Sequence, residues 1–169
     1  MDDGPGVALG ETVADVAAPL VSPDGSVETV SLSELTADGP ALIVFYTNDF
    51  SPDCTREWCD FRDFGWFAST DDVRVAGVSR SRVSTHRRFI DRLDLPFPLY
   101  SDRDLELTEA FDVRYRVLGL VARSHRSVFL IDEDLTVQYR WVADHPVDPS
   151  RDTPKMQDVN DAVRDYLSG

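Results

Sequence analysis

Two cysteines five residues apart, Cys54 and Cys59, are the side chains of this sequence best suited to covalent chemistry. Only the thiolate is a good nucleophile, and a free thiol with a pKa of ~8.5 is about 3% ionised at neutral pH. What either cysteine can do therefore depends on how much positive charge the fold brings to its sulfur. The C-x4-C spacing is not one of the common zinc patterns, and two thiols with 3 scattered histidines make a poor ligand set, so neither a metal site nor a cofactor is expected. In a chain read as cytoplasmic, two cysteines are more often reactive or incidental than a structural staple.

The stretch around them, ALIVFYTNDFSPDCTREWCDFRDF, sets their positions. Ala41 to Tyr46 is a continuous apolar run, too short for a helix and rich in branched and aromatic residues, which predicts a strand buried on both faces. Thr47 to Asp53 is a polar loop in which Pro52 can set the turn into a helix. From about Cys54 to Ala68 the spacing is helical, with Trp58, Phe61, Gly65 and Trp66 on an inner side and Asp60, Arg62 and Asp63 toward water. Cys54 thus falls where unpaired N–H groups at a helix start attract an anion. That dipole, ~0.3–1 kcal/mol when exposed, moves a pKa by less than about one unit. A cation within ~4–6 Å moves it by about 1–3 units. A thiolate at neutral pH consequently requires an arginine from elsewhere in the chain.

The other elements follow from pattern. Val13 to Val21 and Val27 to Leu32, separated by Ser22-Pro23-Asp24-Gly25, predict a β-hairpin, and Ser31 to Glu34 has the S-x-x-E form of a capping box. Val73 to Ser79 lacks alternation, as a central parallel strand does, so strand, helix and strand form a βαβ unit. Ser81 to Leu93 reads as a helix with Val83, Phe89, Ile90 and Leu93 inward and His86 solvated. Leu95 to Tyr100 is extended around its two prolines, Asp102 or Asp104 can cap a short helix through Phe111, and Val113 to Ser124 reads as a loop. Ser127 to Ile131 and Val137 to Val142 are antiparallel partners across an Asp132-Glu133-Asp134 turn. A polar loop over 144–152, holding a solvated His145, leads to a tail helix over 153–167 with Pro154 in its first turn. The pattern is α/β: one domain over residues 1–169, frayed over 1–10, with a mixed sheet covered by helices on both faces.

Charge narrows the function classes. The net charge of -14 arises from 24 Asp and 7 Glu against 16 Arg and the single Lys155. Diffuse acidity of this kind repels nucleic acid and anionic membranes. It also suits molar salt, where a Debye length of ~3 Å screens the self-repulsion. No apolar run approaches the ~20 residues of a membrane span and the N-terminus lacks signal-peptide regions, so a cytoplasmic location is expected.

Taken together, FYTNDFSPDCTREWCDFRD, the hairpin with SPDG and SLSEL, VAGVSRSRVSTHRRFIDRLDLPFPLYSD and RSVFLIDED resemble the peroxiredoxins, specifically the bacterioferritin-comigratory-protein or Q-type branch. That branch carries a run similar to F-Y-P-K-D-F-T-P-G-C-T-T-E-A-C-D-F-R-D, and the likeness covers roughly residues 10 to 168. It implies a thioredoxin-like fold with an N-terminal hairpin and reduction of hydroperoxides by a monomer or weak homodimer. By motif position, Cys54 is the peroxidatic cysteine that becomes a sulfenic acid. Cys59 is the resolving cysteine that forms an intrachain disulfide with it, to be reduced by a thioredoxin-like dithiol. Ser51 stands at the family's threonine position and keeps the hydroxyl. Arg126 matches the arginine that faces the thiolate and stabilises the departing oxygen. Glu57 matches an orienting carboxylate. The sequence departs at Thr47, where the family has proline. A protein disulfide oxidoreductase is disfavoured because the pair lacks C-x-x-C spacing; a non-catalytic thiol redox sensor is the remaining alternative.

Overall fold

The computed structural model describes residues 6–46, 49–64, 70, 72–117, 121–143 and 155–168. Its frame is a seven-stranded mixed sheet. The strands are β1 (Ala17–Val21), β2 (Val27–Ser31), β3 (Ala41–Phe45), β4 (Arg74–Ser79), β5 (Leu99–Ser101), β8 (Ser127–Ile131) and β9 (Val137–Val142), in the order β2-β1-β5-β4-β3-β8-β9. β3, β4 and β5 run parallel at the centre, flanked by the antiparallel hairpins β1–β2 and β8–β9. The helices among the described residues are α1 (Leu32–Leu35), α2 (Pro52–Asp63), α3 (Val83–Leu93), α4 (Glu106–Ala110) and α5 (Met156–Ser168).

Strand alternation divides the core in two. Leu42, Val44 and Tyr46 face the side holding Trp58 and Phe61 of α2, Phe89 and Ile90 of α3, and Val159 and Val163 of α5. Ala41, Ile43 and Phe45 face Leu32 and Leu35 of α1, Leu107 of α4 and Phe111. All five β3 residues are buried, which is why the strand carries no polar position. The fold expected from the resemblance, helices on both faces included, is the one observed.

Local signals held where capping chemistry was explicit. Ser31 and Glu34 form a reciprocal capping box at α1. Asp102 accepts the backbone N–H groups of Leu107 and Thr108 at 3.0 and 2.9 Å, satisfying the start of α4 although the residue bordering that helix is Leu105. The stretch 113–124, expected as a loop, instead contains β6 (Arg114–Val117) and β7 (Val121–Ser124), paired with each other outside the main sheet. Such a ribbon is held by its own ladder, so it needs no apolar periodicity facing the core. Gly65 and Trp66, placed on the active-site helix by spacing, and the 144–152 loop with His145 lie outside the described residues.

Candidate active site

β3 delivers the chain to the carboxyl edge of the parallel strands, the usual location for sites in such sheets. There Tyr46 N–H donates to Val78 O at 3.0 Å. Ser51 is the N-cap of α2, with extended backbone (φ -69, ψ 146), and its hydroxyl accepts the Cys54 N–H at 3.4 Å. Pro52 occupies the first helical turn, where its missing N–H costs nothing. Cys54 is therefore in the first turn of α2, and it is buried. Thr47 lies outside the described residues.

The required arginine is Arg126. β3 and β8 are antiparallel with Phe45 opposite Ser127, so the residue before β8 reaches the edge where β3 ends. Ala143 N–H donates to Arg126 O at 2.9 Å and fixes the backbone there. The guanidinium is 1% exposed; Nη2 donates to Cys54 Sγ at 3.0 Å and Nη1 to Glu57 Oε1 at 2.8 Å. One fully buried cation is thus shared by two acids one turn apart on α2.

Glu57 is the electrostatically costly member. Burial pushes its carboxyl up to about 7 against the opposing pull of Arg126, and its Oε2 has no hydrogen-bond partner among the described residues. For Arg126, burial favours losing the proton, but Glu57 and Cys54 outweigh it and hold the guanidinium above its ordinary value. Glu57 and Cys54 thus draw on the same guanidinium, and it is the buried carboxyl whose pKa is pushed up.

Cys59 sits in the middle of the same helix, half-buried and unbonded to Cys54. Five residues of ideal helix rise about 7.5 Å and turn about 500°, which separates the two Cα atoms by roughly 8.6 Å on a cylinder of radius ~2.3 Å. A disulfide needs less than ~7 Å. The thiols cannot join while α2 is intact.

Two further residues support the site from outside α2. Gly77 on β4 lies beneath Trp58: a Cβ there would stand 2.4 Å from the Trp58 ring and 2.6 Å from Leu99. An isolated glycine inside a strand is a known sign of such close approach. The second support corrects the expectation of a solvated His86. His86 is fully buried; Nδ1 lies 2.7 Å from Asp49 Oδ2 and Nε2 lies 2.9 Å from Tyr100 O. Tyr46 Oη donates to Asp49 Oδ1 at 2.5 Å, and burial first, then Asp49, raises the phenol well above its ordinary pKa. The signal was present in the sequence, since His86 lies three residues from both Val83 and Phe89 on the inward face of α3.

Comparison with known proteins gives the family. The AhpC/TSA family profile matches residues 9–140. Peroxiredoxin Bcp of Bacillus subtilis is 35% identical over 126 residues, 70% of this chain and 79% of that relative. Peroxidoxin BcpB of Mycobacterium tuberculosis superposes with a TM-score of 0.73 at 28% identity, covering 95% of this chain and 96% of the other. The bacterioferritin comigratory protein of Xanthomonas campestris, solved as trapped-intermediate and ligand complexes bearing on alkyl peroxide reduction, gives 0.68 at 28% identity over 90% of each chain. A buried thiol held by an arginine at the start of a helix therefore sits in a chain that belongs to the AhpC/TSA family, with peroxiredoxins of the Bcp type among its relatives.

Proposed function

We propose that this thiol-dependent peroxidase works through Cys54 as the attacking sulfur and Cys59 as the resolving one. The Cys54 thiolate attacks the distal oxygen of a hydroperoxide, the O–O bond breaks, and the bonding pair leaves on the other oxygen. That oxygen takes up a proton and departs as water or alcohol, and Cys54 becomes a sulfenic acid. Arg126 stabilises both the thiolate and the charge on the departing oxygen, Ser51 offers a hydroxyl to the peroxide, and Glu57 orients the guanidinium. The Cys59 thiol then attacks the sulfenic sulfur and expels water, giving a Cys54–Cys59 disulfide that an external thioredoxin-like dithiol reduces by exchange. The observation that carries this reading is the 3.0 Å contact between the Arg126 guanidinium and the buried Cys54 sulfur.

The roughly 8.6 Å between the Cα atoms in a formed helix requires the first turns of α2 to unwind for resolution. Stopped-flow oxidation of the reduced protein by hydrogen peroxide, followed by mass mapping, tests the scheme. A rate far above that of a free thiol and a Cys54–Cys59 linkage are expected; a free-thiol rate would remove the peroxidase scheme and leave the disulfide-oxidoreductase and sensor readings. Hydrogen exchange checks the unwinding, and equal protection of residues 54–61 in reduced and disulfide forms would refute it.

The partner side of the reading follows from surface character. No helix among the described residues is long and apolar enough to cross a membrane, and their exposed large apolar side chains are Leu9 and Phe50, which supports a monomer or weak homodimer. With a net charge of -14, the chain suits a cytoplasm of high salt. Its melting temperature should rise between 0.1 and 2 M potassium chloride, because the Debye length shortens from ~10 Å at 0.1 M to ~3 Å at 1 M. A flat or falling trend would remove the salt-adapted reading.

A further inference from the structure

The active-site turn is tied down by a buried polar cluster that the peroxide chemistry leaves unused. Asp49, two residues before the helix cap, is held through both its side chain and its backbone. Its carboxylate joins His86 and Tyr46, and its N–H donates to Ser81 Oγ at 3.1 Å. Ser81 is itself fixed to the end of β5 by the Ser101 hydroxyl, which donates to Ser81 O at 2.7 Å. His86 ties the same point to Tyr100 of β5. Because Tyr100 O can only accept, Nε2 carries a hydrogen; one further proton must then lie between Nδ1 and the Asp49 carboxylate.

Beyond Asp49 the turn makes an apolar contact, the Phe50 ring meeting Phe89 of α3 edge-on with 5.1 Å between centroids. Phe50 has φ 65, a conformation unfavourable for a residue with a Cβ, and is 47% exposed. After Phe50 come the Ser51 cap and Cys54. On the far side Trp58 is wedged over Gly77. The segment that must open for resolution is thus stretched between two anchors, one apolar and one polar, with a strained residue next to the polar one.

We infer that Asp49 and His86 form a latch that sets how the turn divides between the closed form, in which Cys54 meets peroxide, and the opened form, in which it meets Cys59. This rests on the Cys54–Cys59 reading above. Both are positioning residues, acting through their hydrogen bonds to Tyr46, Ser81 and Tyr100. The latch favours the closed form and slows resolution, so a sulfenic acid persists longer and meets a second peroxide more often. Opening it does the reverse.

The test separates the two steps kinetically in full-length protein. His86→Gln keeps a donor for Tyr100 O and loses the bond to Asp49; His86→Asn keeps a donor on the Asp49 side. His86→Gln should speed disulfide formation roughly tenfold, the effect of losing one charge-assisted hydrogen bond on a two-state balance. Oxidation of Cys54 by hydrogen peroxide should be unchanged or slower, and over-oxidation to sulfinic acid at high peroxide should fall. His86→Asn should lie between this variant and wild type. General damage to the fold would slow both steps, and unchanged or slowed resolution in a folded His86→Gln protein overturns the latch. Wild-type protein gives a readout independent of substitution: the Asp49 amide should lose hydrogen-exchange protection in the disulfide form, and retained protection overturns the proposal. Absence of the Cys54–Cys59 disulfide in wild type would instead overturn the reading beneath it, and the latch with it.

Discussion

Cys54 and Cys59 occupy one helix, five residues apart, yet their surroundings differ in every respect that matters to a thiol. Cys54 lies in the first turn, buried, with its N–H capped by Ser51 and its sulfur 3.0 Å from a guanidinium. Cys59 lies in the helix interior, half-buried, and the charge near it is the partly exposed Arg62, which is already paired with Asp63. At a helix start, a thiol meets a close positive charge only when a second element supplies it. Here β8 does so through its antiparallel register with β3.

The most severe break of the comparison is exchange of the sulfurs themselves. Cys54→Ser should abolish peroxide consumption, whereas Cys59→Ser should complete one turnover and stop at sulfenic acid, as read by mass spectrometry and by stoichiometric peroxide loss. If both variants consume one equivalent, the two sites are not differentiated as described.

Next in size is removal of the shared cation. Arg126→Met leaves Cys54 with the helix terminus alone, and the second-order rate with peroxide at neutral pH should fall by roughly 10²-fold or more. The thiolate absorbance at neutral pH should fall with it. A wild-type rate and unchanged thiol titration would show that Arg126 is not what distinguishes Cys54.

Glu57→Gln sharpens the comparison by leaving Cys54 as the sole acid on Arg126. Folding raises the Glu57 carboxyl from 4.5 to about 7, chiefly by burial, so the folded protein binds that proton more tightly than the unfolded chain. The resulting stabilisation is complete below the unfolded value and is lost as pH rises through about 7. Its size is at most roughly 3 kcal/mol. Denaturant unfolding at several pH values should show this decline in wild type and a shallower one in Glu57→Gln; identical slopes would mean that the carboxyl titrates normally in the fold.

The smallest expected effect concerns the wall behind both cysteines. Gly77→Ala forces the fully buried Trp58 ring away from β4, and overpacking of this kind costs about 1–3 kcal/mol. A lowered melting temperature with slower peroxide reduction is expected, because Trp58 and Cys54 lie one turn apart on the same helix. Unchanged stability would show that α2 does not depend on this contact.

Patterns complete within a few residues were legible in the amino-acid sequence. The uninterrupted apolar run of β3 marked a central strand, the polar loop ending at Pro52 marked the turn into a helix with Cys54 at its start, and S-x-x-E marked α1. Each depends on local sterics and hydrogen bonding, which neighbouring residues specify. The resemblance supplied Arg126, Glu57 and Ser51, but residue spacing did not: Arg126 and Cys54 are 72 positions apart in sequence, and only strand register brings them together. Tertiary structure alone decided that His86 is a buried partner of Asp49 rather than a solvated residue. Its helical phase allowed burial, but the choice depended on a carboxylate 37 residues away being held inside the fold. Likewise a glycine in β4 acquired meaning only when Trp58 was laid across it. Sequence determines which face a residue can present; what waits on the other side of that face is set by chain topology, because long-range register, not local preference, chooses the neighbour.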